Sequence, residues 1–377
     1  MTKKHIIAIV GGGSDSAVGR AHISALRLTG KFTIKAACFA DNPKKNAESA
    51  KEYGLDEVKL FRSIGALIQD EIHLDAIVIL TPTNLHYEHV CLAIKNKIPV
   101  ICEKSLTTSS KKAKQINSLL QKYNGYLVTT FNYLGYPMLR EIKNLVTLNS
   151  IGRIQQINIE MPQQTFLKKN NGKAMPPQKW RQRDYEISTI SLDLGVHIHS
   201  ILFYLIEDNP TDVLATFNNY GHIKNVTDDI KVIAKFPNSV SSLIWYSKVA
   251  LGSNNGLKFK IMGEKGSIEW LQEEPDKFYQ YENNGKKNII DLGDDILKVA
   301  NQKRYQRFKA GHPTGFIEAF ANLYEDIHNS LSCYQNDGTQ TDIKNLLNMS
   351  NSINGLSLLE AFEKSNSKGK WIKPSYI

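Results

Sequence analysis

The chain has 377 residues, which at about 150 residues per domain points to two domains. Hydrophobic residues make up 41% and charged residues 22%, so a disordered or collagen-like chain is excluded. The formal net charge of +10 favours anionic small molecules, but the basic residues lie in scattered pairs such as Lys44-Lys45, Lys111-Lys112 and Lys286-Lys287 with no nucleic-acid motif, so no nucleic-acid partner is expected.

An apolar run from Ile6 to Val10 stops at three glycines, too short for a signal segment, and reads as a strand. It is the first of five short strands, at residues 5–10, 33–40, 75–81, 99–102 and 126–130. Amphipathic stretches at 17–29, 43–53, 85–96 and 109–123 separate them, each long enough for a crossover helix. Repeated βα units predict a doubly wound parallel sheet of the Rossmann type, with a domain over residues 1–131. After Phe131 the pattern changes. A helix is expected at 139–148, then strands that alternate, such as Ile157, Ile159 and Met161 or Leu257, Phe259 and Ile261. Further strands are expected at 212–218, 229–236, 240–246 and 267–271, with a helix at 191–205. This predicts an α+β domain over residues 132–377 with a large, mostly antiparallel open sheet that has one wetter face; the end of the chain can pack back on the first domain. Residues 165–182, with Asn170-Asn171-Gly172 and Pro176-Pro177, read as a long loop, and loops of that length are often functional.

Cys38, Cys91, Cys102 and Cys333 show neither CxxC pairing nor finger spacing, which fits a reducing, cytoplasmic setting. No run approaches the roughly 18 consecutive apolar residues of a membrane span, so no membrane partner is expected. His86 with His89 lacks a third ligand, and no metal is expected.

The first strand runs directly into Gly11-Gly12-Gly13-Ser14-Asp15-Ser16-Ala17-Val18-Gly19 and then a helix, the context in which a glycine-rich turn reads as a pyrophosphate cradle. The spacing departs from GxGxxG. With Gly11 and Gly13 as the first two glycines, the third falls at Ser16, and Gly19 comes three residues late. Asp41, at the end of the second strand, can accept hydrogen bonds from the adenosine ribose and repel a 2′-phosphate, favouring NAD over NADP. It can equally form the turn before Asn42-Pro43, and Lys44 and Lys45 can attract a phosphate, so NADP stays open.

The fifth strand ends in Val100-Ile101-Cys102-Glu103-Lys104-Ser105. Here the chain resembles the Gfo/Idh/MocA oxidoreductases, the family of glucose–fructose oxidoreductase and inositol dehydrogenase, whose hallmark at this point is Glu-Lys-Pro. Thr81-Pro82-Thr83-Asn84-Leu85-His86, Asn132-Tyr133-Leu134-Gly135-Tyr136-Pro137 and Asp193-Leu194-Gly195-Val196-His197 match in order, so the resemblance spans nearly the whole chain. It implies an NAD(P)-dependent dehydrogenase or reductase acting on a ring hydroxyl of a sugar, inositol or related polyol, phosphorylated or nucleotide-linked substrates included. A branch of the family implies an alternative, an NAD-dependent glycoside hydrolase; a third reading is a non-catalytic dinucleotide-binding protein. The resemblance assigns catalysis to Lys104, Asp193 and His197. It assigns the cofactor to Gly11, Gly12, Gly13, Ser16, Val18, Gly19, Asp41, Thr81, Pro82, Asn84, His86, Glu103, Lys104 and Asn132. The substrate falls to Lys104, Asp193 and His197, joined by Tyr133, Trp180, Arg181 and His312; Lys248 is a further candidate. A surface arginine or a core-packing tryptophan is the more frequent explanation of such residues. Relatives are commonly dimers or tetramers, so a homo-oligomer is expected.

Physical chemistry supports part of this. Lys104 lies just past the carboxyl end of a parallel strand, where ligands of doubly wound sheets bind. Asp193 and His197 are four apart, on one face of a helix, among Ile190, Leu192, Leu194 and Ile198. Neutral imidazole suits a base that accepts a hydroxyl proton, ammonium suits the reacting oxygen, and Asp193 can orient the substrate or the histidine. Ser105 replaces the motif proline, and because a cis bond before serine costs about 2.5 to 4 kcal/mol, a trans or strained Lys104–Ser105 bond is expected.

Overall fold

The computed structural model describes residues 4–174, 176–340 and 343–377. Its chain divides into two units: the part up to Gly135 together with Gly315–Ser352, and Tyr136–Thr314 together with Ile353–Ile377.

The β-branched run of the N-terminus forms β1 (His5–Gly11), buried along nearly its whole length as a strand covered on both faces must be. Around it stand β2 (Phe32–Cys38), the two-residue β3 (Lys59–Leu60), β4 (Ala76–Leu80), β5 (Val100–Glu103) and β6 (Leu127–Thr130). The order is β3-β2-β1-β4-β5-β6, all parallel, so the sheet reverses direction of growth between β1 and β4. Crossovers run through α1 (Ala17–Thr29), α2 (Pro43–Glu52), α3 (Ile64–Ile68), α4 (Thr83–Lys95) and α5 (Ser110–Tyr123). Neither β3 nor α3 is apparent in the sequence, since two and five residues are too few to show a period.

The second unit opens with α6 (Pro137–Thr147) and β7 (Ile154–Pro162). Within the long loop lie a small ladder of β8 (Lys169–Asn170) and β9 (Lys173–Ala174) and a 3₁₀ turn, Lys179–Gln182; Met175 of that loop is outside the described residues. The helix expected at 191–205 begins as a π-helical turn, Ser191–Gly195, and continues as α7 (Val196–Ile206). Then come β10 (Asp212–Asn218), β11 (Asp229–Lys235), β12 (Ser241–Ser247), β13 (Lys258–Gly263), β14 (Gly266–Leu271), β15 (Lys277–Glu282) and β16 (Lys287–Asp291), the last two beyond the strands read from sequence. With β7 they form an eight-stranded sheet, antiparallel except where β7 meets β12. Alternation sets its faces. Ile157, Ile159, Phe259, Ile261, Ile230 and Val232 are buried, and α7 packs against β7.

Two long helices close the chain, α8 (Phe316–Asp337) and α9 (Met349–Lys368). Gly315 N–H donates to Glu318 Oε2 (2.9 Å) at the start of α8, which lies along α1 and adds Phe320, Tyr324 and Ile327 to the core of Ile7, Ile9, Ile23, Val78 and Val128. Among the described residues no helix is long and apolar enough to cross a membrane.

Buried Glu141 of α6 ties down the segment after β16. Its Oε2 accepts the backbone N–H groups of Lys298, Val299 and Ala300 at 2.9, 2.6 and 2.9 Å. Glu141→Ala orphans three amides at once, and each buried donor left unpaired costs about 1 to 3 kcal/mol. A urea titration is expected to show a loss of about 3 kcal/mol or more; a loss below about 1 kcal/mol would mean that water replaces the carboxylate there.

Candidate functional site

At the switch point of the parallel sheet the backbone is unusually close-set. Gly11 has φ +81°, and a Cβ there would meet Thr81 N at 2.6 Å. A Cβ on Gly19 would stand 2.0 Å from Gly12 O, so α1 can rest on the turn only through a glycine. Gly19 therefore performs the helix-packing task of a third fingerprint glycine despite its late position. Ser16 caps α1, accepting from Gly19 N–H at 3.2 Å, and Val18 lies in the helix's first turn. Two residues of the α2 region that the sequence did not single out complete the turn: Tyr53 donates to Gly12 O (2.9 Å) and Gly13 O (2.8 Å), and Ser49 Oγ accepts from Ser14 N–H (3.0 Å). Burial pushes the Tyr53 phenol up to about 12, so it stays a donor. A cradle that any Cβ would fill, at the N-terminus of a 13-residue helix, fits a dinucleotide pyrophosphate. Asp41 is exposed beyond β2, and the turn-forming role falls to Asn42, whose Oδ1 accepts from Lys44 N–H and Lys45 N–H (3.0 and 3.1 Å).

The loops after β4 and β5 lie next along the same sheet edge. Thr81, Pro82 and Asn84 are at least partly accessible, whereas His86 is buried with Nδ1 2.7 Å from Ser105 O and Nε2 2.6 Å from Thr81 O. Burial pushes its pKa down, and a neutral ring donates to one carbonyl at a time. His86 thus joins the two loops instead of offering its ring to a ligand. The Lys104–Ser105 bond is cis, so the trans alternative of the sequence expectation does not hold. Glu103 is also turned inward, against His22 (3.1 Å) and Thr130 (2.6 Å). Asn132 and Tyr133 are buried in a 3₁₀ turn, with the Tyr133 ring 6.4 Å from Phe316.

In the second unit Asp193 lies in the π-helical turn and is buried. Its carboxylate is gripped by Arg181, with Nε to Oδ2 at 3.0 Å and Nη2 to Oδ1 at 3.1 Å, and by Lys248 Nζ to Oδ2 at 2.8 Å. Arg181 stacks on Trp180 at 4.3 Å and reaches Gln178 Oε1 (2.7 Å), while Lys248 also donates to Gln163 Oε1 (2.8 Å). Two residues that each looked weak in the sequence, Arg181 and Lys248, are thus gathered on one carboxylate, with a third, Trp180, beneath the arginine. His197 follows on α7, also buried. Residues four apart share a face only in an ideal α-helix, and the π turn interrupts that period just where Asp193 stands. His312 is not drawn into this cluster: it sits on an exposed loop, Nδ1 3.1 Å from Lys309 O.

Behind the π turn runs a polar chain that sequence reasoning missed, since its members are far apart along the chain. Glu363 Oε1 accepts from Ser188 N–H (2.7 Å), the Ser188 and Ser191 hydroxyls are 2.8 Å apart, and Ser191 Oγ is 2.8 Å from the Tyr246 hydroxyl. Burial, reinforced by the Asp184 charge and opposed by Ser188, raises Glu363 from 4.5 to about 7. The folded protein therefore holds this proton more tightly than the unfolded chain does. The stabilisation is fully present below about 4.5 and is lost as pH rises through about 7. Glu363→Gln is expected to remove this decline, gaining about 2 kcal/mol on the wild type between pH 5 and pH 8 in denaturant titrations. Parallel profiles would show that Glu363 is ionised in the fold.

Residues 6–131 match the family model described as an oxidoreductase family with an NAD-binding Rossmann fold, and residues 143–373 match that family's C-terminal alpha/beta domain. An uncharacterized oxidoreductase of Bacillus subtilis is 25% identical over 328 residues, 84% of this chain and 83% of that protein. The levoglucosan dehydrogenase of Pseudarthrobacter phenanthrenivorans is 24% identical over 302 residues, 72% of this chain and 74% of its own. Among solved structures, an inositol dehydrogenase homolog from Azotobacter vinelandii, complexed with NADH and myo-inositol, superposes with a TM-score of 0.89 at 21% identity, covering 99% of this chain and 98% of its own. With both of its units matched, one by an NAD-binding Rossmann domain and the other by the partner domain of the same enzymes, the chain belongs to the Gfo/Idh/MocA oxidoreductase family.

Proposed function

We propose that this oxidoreductase transfers a hydride between NAD and a ring hydroxyl of a sugar, inositol or related polyol. The observation that carries the reading is the cluster in which Arg181 and Lys248 grip buried Asp193 on the turn that leads into His197, in a chain whose other unit is an NAD-binding domain. NAD, when bound, supplies the hydride acceptor. His197 takes the hydroxyl proton, and the Lys104 ammonium donates to the same oxygen and steadies its developing charge. Asp193, its oxygens held by two cations, fixes the substrate's orientation. Arg181 and Lys248 bring two positive charges to one carboxylate, which keeps phosphorylated and nucleotide-linked sugars within the substrate class. Asp41 is the residue we assign to the adenosine ribose. Dehydrogenase names among the relatives, levoglucosan dehydrogenase and inositol 2-dehydrogenase, favour this reading over a glycoside hydrolase. Four free cysteines support a cytoplasmic setting.

We also propose a homo-oligomer formed through the outer face of the eight-stranded sheet. Cross-strand neighbours Leu214, Ile233 and Leu243 line that face, with Ile233 44% and Leu243 55% exposed. Light scattering at micromolar concentration is expected to give a dimer or tetramer; a monomer would refute the assembly.

The enzymatic test is a screen of NAD and NADP reduction against sugars and inositols, levoglucosan and myo-inositol included. On the substrate found, His197→Ala should lower kcat about 10² to 10⁴-fold with NAD affinity nearly unchanged. Lys104→Ala should raise KM as kcat falls, by about two to three orders in kcat/KM. A His197→Ala enzyme that keeps more than about a third of wild-type kcat puts the base elsewhere.

A further inference from the structure

Beside Lys104 stands a buried carboxylate that the chemistry above does not use. Glu103 closes β5, and its side chain is enclosed by α1, β6 and α8 within the N-terminal unit. His22 Nε2 lies 3.1 Å from Glu103 Oε1, His22 Nδ1 lies 2.6 Å from the Tyr324 hydroxyl, and Thr130 Oγ1 donates to Glu103 Oε1 at 2.6 Å. His22 and Tyr324 are both wholly buried.

These contacts select one tautomer. A carboxylate only accepts, so Nε2 carries a proton whatever the ring's charge, and in the neutral ring Nδ1 is left to accept from the phenol O–H. The other neutral tautomer would point a lone pair at the carboxylate. Burial pushes Tyr324 well up, so the phenol keeps the proton it donates. Burial would push Glu103 up too, but the His22 hydrogen bond, the His22 charge when that ring is protonated, the Lys104 charge and the Thr130 hydroxyl bring it below the ordinary carboxylate value. The titratable groups around Glu103 are His22 from α1, Tyr324 from α8, His86 from α4, and Cys102 and Lys104 on either side of it in the chain.

We propose that His22 and Tyr324 are positioning residues of this enzyme: acting through Glu103, they keep an anion fixed beside Lys104 and so hold the lysine ammonium at the point where it meets the reacting oxygen. The proposal rests on the role given to Lys104 above. Packing alone, with the His22 ring 4.6 Å from Phe320, would require neither a defined tautomer nor an ionised Glu103.

Two measurements on the full-length protein test it, one without substrate. In ¹⁵N and ¹³C-carboxyl NMR the wild type is expected to show the Nε2–H tautomer of His22 and a Glu103 that titrates below the ordinary range. Tyr324→Phe should mix the tautomers. His22→Leu should raise the Glu103 midpoint by about one pH unit or more, and His22→Gln, which still offers an N–H donor, should recover part of it. The second measurement is NAD-dependent turnover of whichever panel sugar or inositol is oxidised. The acid limb of kcat/KM should move upward in the same order of variants and by the same shift as the Glu103 midpoint, because the lysine loses its anion at higher pH, with KM for NAD unchanged. Glu103→Gln should lose activity without any such limb. A Glu103 midpoint unmoved in both folded His22→Leu and Tyr324→Phe overturns the chain, as does a shifted midpoint with an unshifted kcat/KM profile. Lys104→Ala with near-wild-type turnover would sink the reading of Lys104, and this proposal with it, whatever the NMR shows.

Discussion

Backbone meeting backbone at the switch point is the constraint from which the N-terminal unit follows. The last residue of β1 stands so near Thr81 that a Cβ would reach its amide nitrogen at 2.6 Å, and α1 comes so near Gly12 that a Cβ on Gly19 would be 2.0 Å from its carbonyl oxygen. Such approaches bring the N-terminus of α1 and the loop after β4 to one edge of the sheet. The loop after β5 is joined to that edge through His86, which touches carbonyls of both loops. The loop that carries Lys104 is therefore placed by contacts that start at the glycines and end at the buried His86 ring. None of them depends on a flexible surface side chain.

Buried charge is handled in a consistent way in both units. Each ion taken from water costs several kcal/mol unless its lone pairs or protons are matched, and mismatched arrangements are excluded more strongly than matched ones are favoured. Glu141 meets three amides, Glu103 meets an imidazole N–H and a hydroxyl, and Asp193 meets a guanidinium and an ammonium. The same rule explains Glu363. Its donors come from one residue, the amide and hydroxyl of Ser188, and Asp184 is nearby, so it relieves the cost by holding a proton to about 7. The π turn that carries Asp193 is fixed by that chain from behind and by close packing at Gly195, where a Cβ would meet Leu359 at 2.8 Å.

What could be read in the sequence was periodic or local. The five strands and four crossover helices of the first unit that the sequence showed, the alternating strands through Ile157 and Phe259, and the glycine turn all have their physical cause within a few neighbouring residues. Lys104, Asp193 and His197 stood out only because ordered motifs accompany them. Elements too short for a period, β3 and α3, were invisible, and so was the π turn, which differs from an α-helix by one residue in a period that five residues cannot define. Partners distant in sequence were beyond reach as well. Arg181 is 12 residues from Asp193 and showed only as a polar residue after a loop; Tyr324 is 302 residues from the histidine it faces. His86 and Glu103 matched the motif, yet their side chains turn toward the protein, because a motif records that a position is constrained without recording by what.

The late glycine shows the same limit from the other side. A fingerprint written as spacing assumes a fixed number of residues between strand end and helix start, and this chain has more: Ser14, Asp15 and Ser16 intervene, with Ser16 as the cap. The added length moves the helix start and with it the residue that must lie against the turn. Any residue there except glycine would meet Gly12 O at 2.0 Å, so glycine follows the contact and not the count. Tyr53 and Ser49 then secure the enlarged turn, holding two carbonyls and one amide from the α2 side. A dinucleotide turn is thus defined by which backbone atoms must touch, and its spacing is free to vary wherever neighbouring side chains can secure the extra residues.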